Sequence, residues 1–102
     1  MLDNEFDPEG FEKALSLIKS MDNRNRLFIL CLLCDGERTV TEMAEAAELS
    51  LSAMSQHLSV LRQADLVETE KYQQSVTYRL KGNEVKQMIA LLKKLYCDSA
   101  AQ

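Results

Sequence analysis

Residues 49–64 read LSLSAMSQHLSVLRQA, and none of them is acidic in a chain that carries sixteen aspartates and glutamates. Ser50 is a good N-cap for a helix running through Gln63. Wound as a helix, Leu51, Met54, Leu58 and Leu61 form one apolar stripe, and Ser52, Ser55, Gln56, Ser59, Arg62 and Gln63 form the opposite face. A face meant only for water would carry the glutamate and lysine found elsewhere in this chain. This one carries short hydroxyls, amides and an arginine. Carboxylates would repel phosphates and are absent. Ser, Gln and Arg can hydrogen-bond base edges in the major groove or phosphate oxygens. The competing reading is a polar surface helix that lacks acids by chance. His57, the single histidine of the chain, falls between the two faces. It reads first as a packing or hydrogen-bonding residue and second as a donor to DNA.

The flanking segments favour the first reading of this helix. Residues 66–80, LVETEKYQQSVTYRL, alternate at Val76, Tyr78 and Leu80 and read as a hairpin with its tip near Tyr72–Ser75. The tip lacks the Asn-Gly or Asp-Gly of a tight turn. On the other side, Thr39-Val-Thr-Glu42 has capping-box spacing and opens a short helix to about Glu48. Two short helices joined by a brief turn and followed by a hairpin are the helix-turn-helix plus wing arrangement. Further upstream, Asp7-Pro8 starts a first helix carrying Phe11, Ala14, Leu15, Ile18 and Met21 at helical spacing. Asp22-Asn23 can cap a second, stopped by Asp35-Gly36. A last helix carries Val85, Met88, Ile89, Leu92 and Tyr96. The predicted fold is mainly α with a β-hairpin, a winged helix-turn-helix with four helices, two strands and a fifth helix. Residues 1–102 form one domain, with the helix-turn-helix at about 39–64 and the wing at about 66–80.

In this arrangement Lys71, Gln73 and Gln74 at the wing tip are candidate contacts to phosphate or the minor groove, or merely an exposed polar turn. The helix N-termini after Thr39 and Ser50 offer N–H groups suited to phosphate. Arg24, Arg26 and Arg38 can line a DNA backbone or pair with Asp22 and Glu37. The net charge of −4 taken alone argues against nucleic acid, but it averages a surface whose acids are unevenly placed.

With 102 residues, one proline and three glycines, the chain is long enough for a core and small enough to gain from dimerisation. No apolar run approaches the roughly 18 residues of a membrane span. The acidic start, MLDNEFDPEG, lacks the pattern of a secretion signal, and the expected location is cytoplasmic. Three cysteines, an odd number, fit a reducing compartment with free or switchable thiols. Cys31 and Cys34 lie in residues 27–34, LFILCLLC, and Cys97 near the far end of the chain.

The segments MDNRNRLFILCLL, TVTEMAEAAELSLSAMSQHLSVLRQADLV and TYRL resemble the ArsR/SmtB family of bacterial winged-helix repressors, over nearly the whole chain. The run from 50 to 62, Ser-x-Ser-x-x-Ser-Gln-His-Leu-x-x-Leu-Arg, is the most specific part. The resemblance implies a homodimer built on the first and last helices (about 8–21 and 83–97) and bound to a pseudo-palindromic double-stranded DNA operator. It places Ser52, Ser55, Gln56 and Arg62 on the DNA-reading helix. Many members sense metals through cysteines of the third helix or Asp, His and Glu of the last. Here those helices read TEMAEAAE and NEVKQMIALLKKLYC, without a histidine, so no metal and no other cofactor is expected. A soft metal held by the cysteines is a lesser alternative.

The cysteines match a thiol-sensing subgroup of that family. Its marks are a cysteine in an Ile-Leu-Cys-x-Leu stretch of the second helix and another after a tyrosine ending the last helix. Here these are Cys31 and Cys97. The resemblance implies that sulfane sulfur or another oxidant links them by a disulfide or longer sulfur bridge and weakens DNA binding. Cys34 departs from the subgroup pattern and is either packing or an accessory thiol. Taken without the family, Cys31 in a leucine-rich helix reads as a small hydrophobe. A metal-independent activator that displaces another repressor is an alternative. An enzyme using Cys31-x-x-Cys34 as a redox dithiol is disfavoured, because no strand precedes the pair and it does not open a helix.

Overall fold

The computed structural model describes residues 6–97. The order is α1 (Pro8–Met21), α2 (Arg24–Cys34), β1 (Arg38–Thr39), α3 (Val40–Ala47), α4 (Leu51–Gln63), β2 (Val67–Tyr72), β3 (Ser75–Leu80) and α5 (Glu84–Tyr96). All five expected helices form. The capping chemistry explains their starts. The Asp7 carboxylate accepts from the Gly10 amide ahead of Pro8. Asn23, rather than Asp22, accepts from the amides of Asn25 and Arg26, each at 3.0 Å. Thr39 and Glu42 form a reciprocal capping box. The Ser50 hydroxyl accepts from the Ala53 amide at 3.0 Å. Each satisfies N–H groups that a helix leaves unpaired at its first turn.

Apolar around most of its circumference, α2 is the centre of the domain. It packs against α1, α3, α4, α5 and β3. Its Ile29, Leu30 and Leu33 meet Met43 of α3, Met54, Leu58 and Leu61 of α4, and Val85 and Ile89 of α5 in one core. Burying that surface is what holds a short helix-turn-helix in place, since α3 alone is too short to persist in water. One expected member of the α4 stripe is not in the core: Leu51 is 56% exposed. It occupies the first helical position, and the buried part of the stripe begins at Met54.

The sheet also differs from the expected hairpin. It has three antiparallel strands in the order β1-β3-β2, because Arg38 and Thr39 pair with Tyr78 and Thr77. Two residues are too few to show an alternation, so only the pairing reveals β1. The β2–β3 register runs from Val67 opposite Leu80 to Tyr72 opposite Ser75, leaving Gln73 and Gln74 as the turn. Gln73 has φ 57°, the left-handed conformation a two-residue hairpin turn demands. At the wing base, Arg79 joins three acids: Nε donates to Glu68 at 3.0 Å, the guanidinium also pairs with Glu70, and Glu37 lies 3.6 Å away.

A radius of gyration of 15.0 Å exceeds the ~13 Å of a compact domain this long. On α1 and α5, Ile18, Leu91, Leu95 and Tyr96 face outward, the last at 79% exposure. Among the described residues no helix is long and apolar enough to cross a membrane.

Candidate DNA-reading face and cysteine site

The α4 surface carries Ser52, Ser55, Gln56, Ser59, Arg62 and Gln63, all exposed, with His57 half-buried between that face and the core. The first turn of α4 has no acidic residue, so the positive end of the helix dipole is uncompensated there. Arg62 makes no ion pair among the described residues. The α3 N-terminus is different. Thr39 spends its hydroxyl on the Glu42 amide at 3.1 Å, and its own N–H donates to the Glu42 carboxylate at 2.9 Å. A carboxylate already occupies that end, and the Thr39 hydroxyl is engaged in the cap.

Tyr78 belongs to this face, although sequence patterning does not point to it. It lines a shallow groove of about 350 Å³ with Ser55, Ser59, Arg62 and Gln63. The alternation of β3 marks Tyr78 only as an inward strand residue. The ring is half-buried and packs against the core as that alternation implies, and it also reaches the groove beside α4. At the wing tip Lys71, Gln73 and Gln74 are exposed, as is Tyr72 at 75%. The acids nearest the wing, Glu68 and Glu70, are held by Arg79.

The other arginines divide by role. Arg26 donates from Nε to the Ser20 carbonyl at 2.8 Å and from its guanidinium to Lys19 O at 3.3 Å. It thereby closes the C-terminus of α1 onto the start of α2. Arg38 donates to the Glu37 carbonyl at 2.9 Å. Arg24 lies instead on the flank of α2, in a groove that also contains Cys31.

With α4 packed on α2, α3 and β2 beside a three-stranded wing, the architecture can be compared with known proteins. Residues 23–69 match the model for "Bacterial regulatory protein, arsR family". The chain is also 52% identical over 87 residues to the transcriptional activator HlyU of Vibrio cholerae, covering 85% of this chain and 81% of that protein. The chain belongs to the ArsR family of transcriptional regulators. The HlyU structure from Vibrio cholerae superposes with a TM-score of 0.83 at 49% identity, covering 89% of this chain and 99% of that one. The transcriptional repressor BigR from Xylella fastidiosa gives 0.78 at 29% identity, covering 90% and 98%. A homodimeric winged helix-turn-helix DNA-binding domain, Mb0332 from Mycobacterium bovis, gives 0.80 at 28% identity, covering 97% and 94%.

Within this ArsR-family fold all three cysteines are free thiols; Cys31 and Cys34 are half-buried and Cys97 is exposed. Cys97 caps the C-terminus of α5, its amide donating to Lys93 O at 2.7 Å. Burial pushes the Cys31 thiol above its ordinary value of 9.0; Lys93 opposes the rise, and Asp35 and Cys97 add to it. Cys34 is raised for the same leading reason and feels Cys31, Lys93, Lys86 and Asp35. Cys97 is thus within electrostatic reach of Cys31. A sensor thiol is expected to have thiolate character, yet Cys31 at neutral pH holds less thiolate than a free cysteine would. A raised pKa means that ionisation, and with it reactivity, keeps growing as pH rises. Iodoacetamide labelling of Cys31, resolved by peptide mapping, is therefore expected to accelerate past pH 9, with exposed Cys97 labelled first at pH 7. A plateau below pH 8 would contradict the burial argument. Among the described residues, no group of three or more His, Cys, Asp and Glu is placed to hold a metal ion.

Proposed function

We propose that the protein is a homodimeric, DNA-binding regulator whose operator affinity is switched by linking Cys31 to Cys97. The observation that carries the reading is the placement of the two thiols. One lies on the central helix α2 and the other at the end of α5, and α2 packs against both α5 and the reading helix α4. A covalent bridge between α2 and α5 bears directly on the element that holds α4. The outward apolar residues Ile18, Leu91, Leu95 and Tyr96 on α1 and α5 suit these helices to the dimer interface. In such a dimer the two copies of α4 enter successive major grooves about 34 Å apart, so a small change in their spacing costs affinity.

In this reading Ser52, Ser55, Gln56, Ser59, Arg62 and Tyr78, with His57 at the margin, meet bases and phosphates. The α4 N-terminus at Ser50 and the wing residues Lys71, Gln73 and Gln74 contact the backbone. The similarity to a named activator and a named repressor leaves both signs of regulation compatible with one DNA-binding mode.

The test compares DNA binding by reduced protein with binding after treatment with glutathione persulfide. Intact-mass and peptide mapping should find a Cys31–Cys97 bridge, and affinity should fall. Cys31→Ser and Cys97→Ser should each bind DNA within about twofold of wild type and lose the response, because neither side chain lies on the reading face. A full response from Cys97→Ser, or linkage confined to Cys31–Cys34, would refute the switch.

A further inference from the structure

The wing carries on its outer face the carboxylates that α4 avoids. In an antiparallel sheet, residues directly opposite each other share a face. Val67 opposite Leu80 lies on the face that covers the core, together with Tyr78. The alternate positions, Glu68 opposite Arg79 and Glu70 opposite Thr77, lie on the other face. The central strand is β3, so Arg79 has a neighbour on each side. One step along the β1–β3 register, Glu37 falls opposite Arg79, and its carboxylate lies 3.6 Å from the guanidinium. From Nε, Arg79 donates to Glu68 at 3.0 Å, and its guanidinium also pairs with Glu70. The Thr77 hydroxyl donates to Glu37 at 3.1 Å. A single cation thus serves three carboxylates. The next cation along the chain, Lys81, is taken by Asp65 at 2.8 Å.

Sheet stability gives little reason for this arrangement. Exposed ion pairs add little to a fold, and two acids on one face of β2 repel each other. The position of the acids carries a different consequence. Glu70 lies three residues before Gln73, about 10 Å along an extended strand. The screening length at 0.1 M salt is also about 10 Å. A carboxylate left free at Glu70 would therefore be felt by a phosphate at the wing tip.

We propose that Arg79 is a positioning residue for DNA binding, which gathers the carboxylates of Glu37, Glu68 and Glu70 at the wing base and keeps their charge off the phosphates approached by Lys71, Gln73 and Gln74. It acts through the three acids and does not itself touch DNA. The wing can then carry acids that fix its register against β1 and still lie on an anionic partner. The inference rests on the reading that the wing contacts the DNA backbone, and adds the residue that makes this contact tolerable.

The experiment measures fluorescence anisotropy of a DNA duplex selected by the wild-type protein, with the full reduced chain, across a salt series. Arg79→Gln is expected to weaken binding about tenfold at ~0.05 M salt and about threefold at ~0.3 M, the scale of one lost neutralising charge. Its thermal midpoint should stay near that of wild type, because the pairs it breaks are exposed. Arg79→Lys, which keeps the charge, should retain most of the affinity. The deciding variant combines Arg79→Gln with Glu68→Gln and Glu70→Gln. Removing the freed carboxylates should restore binding to within about twofold of wild type, since the positive charge on the wing tip is then unopposed. A combined variant as weak as Arg79→Gln alone overturns the proposal, because an arginine that touched DNA or merely stapled the strands would not be replaced by deleting acids. Unchanged affinity in Arg79→Gln overturns it as well, and if Lys71→Gln still weakens binding the wing contact itself stands. If Lys71→Gln and Arg79→Gln both bind as wild type, the wing does not lie on DNA and the proposal falls with that contact.

Discussion

Arg62→Glu should weaken binding to a DNA duplex, selected by the wild-type protein from a random pool, by about a hundredfold at low salt. Arg62 is exposed on the acid-free face of α4 and shares a groove with Ser55, Ser59, Gln63 and Tyr78. Removing a direct hydrogen bond to DNA costs about 1–3 kcal/mol. Reversing the charge adds repulsion from phosphates on a face that has no other carboxylate. The slope of log affinity against log salt should shrink by about one for each phosphate that is no longer neutralised. Lys71→Gln near the wing tip should act more weakly and almost equally on all sequences, because a point charge at the exposed end of β2 positions without reading bases. Fluorescence anisotropy at several salt concentrations measures both. Unchanged affinity in a natively folded Arg62→Glu variant would remove α4 from the DNA surface.

Leu58→Ala is expected to destabilise the fold by about 2–5 kcal/mol, the range for a fully buried leucine that leaves a cavity. Leu58 is 0% exposed and belongs to the core shared by α2, α3, α4 and α5. A domain this size has only about 5–15 kcal/mol to lose, so the variant sits near the edge of folding. The control is Leu51→Ala, on the same helix and 56% exposed, which should change stability by no more than about 0.5 kcal/mol. Urea unfolding at fixed protein concentration separates the two, since any dimer ties stability to concentration. Equal midpoints for both variants would mean that the α4 stripe does not anchor the reading helix.

These two leucines also mark where sequence patterning ends. Both fit one helical stripe, and a periodicity cannot tell which of them the neighbouring elements cover. Capping residues are legible because their chemistry is local: Asp7, Asn23, Thr39 with Glu42, and Ser50 each bond within three residues of themselves. The acid-free face is legible because charge avoidance leaves a gap in composition. The partner of Arg38 and Thr39 is not, since β1 is defined only by pairing with residues about forty positions away. Tyr78 is hidden for a related reason: alternation assigns a strand residue to a face but not what lies against that face. By sequence Arg26 is available to DNA or Asp22, and its bonds to the carbonyls ending α1 depend on the angle between α1 and α2.

The helix order, the two faces of α4, the wing and the pair of cysteines at matching positions of a family pattern are all written in the linear string. Periodicity, capping and composition are properties of neighbouring residues, and a string records them. Packing, by contrast, makes Cys31 half-buried with a raised pKa and brings it within reach of the Cys97 charge. It also opens Cys31 onto a groove with Arg24 at its rim. Burial, electrostatic reach and the shape of a groove depend on what α3 and α5 place around α2, and those elements meet it only after the core has closed.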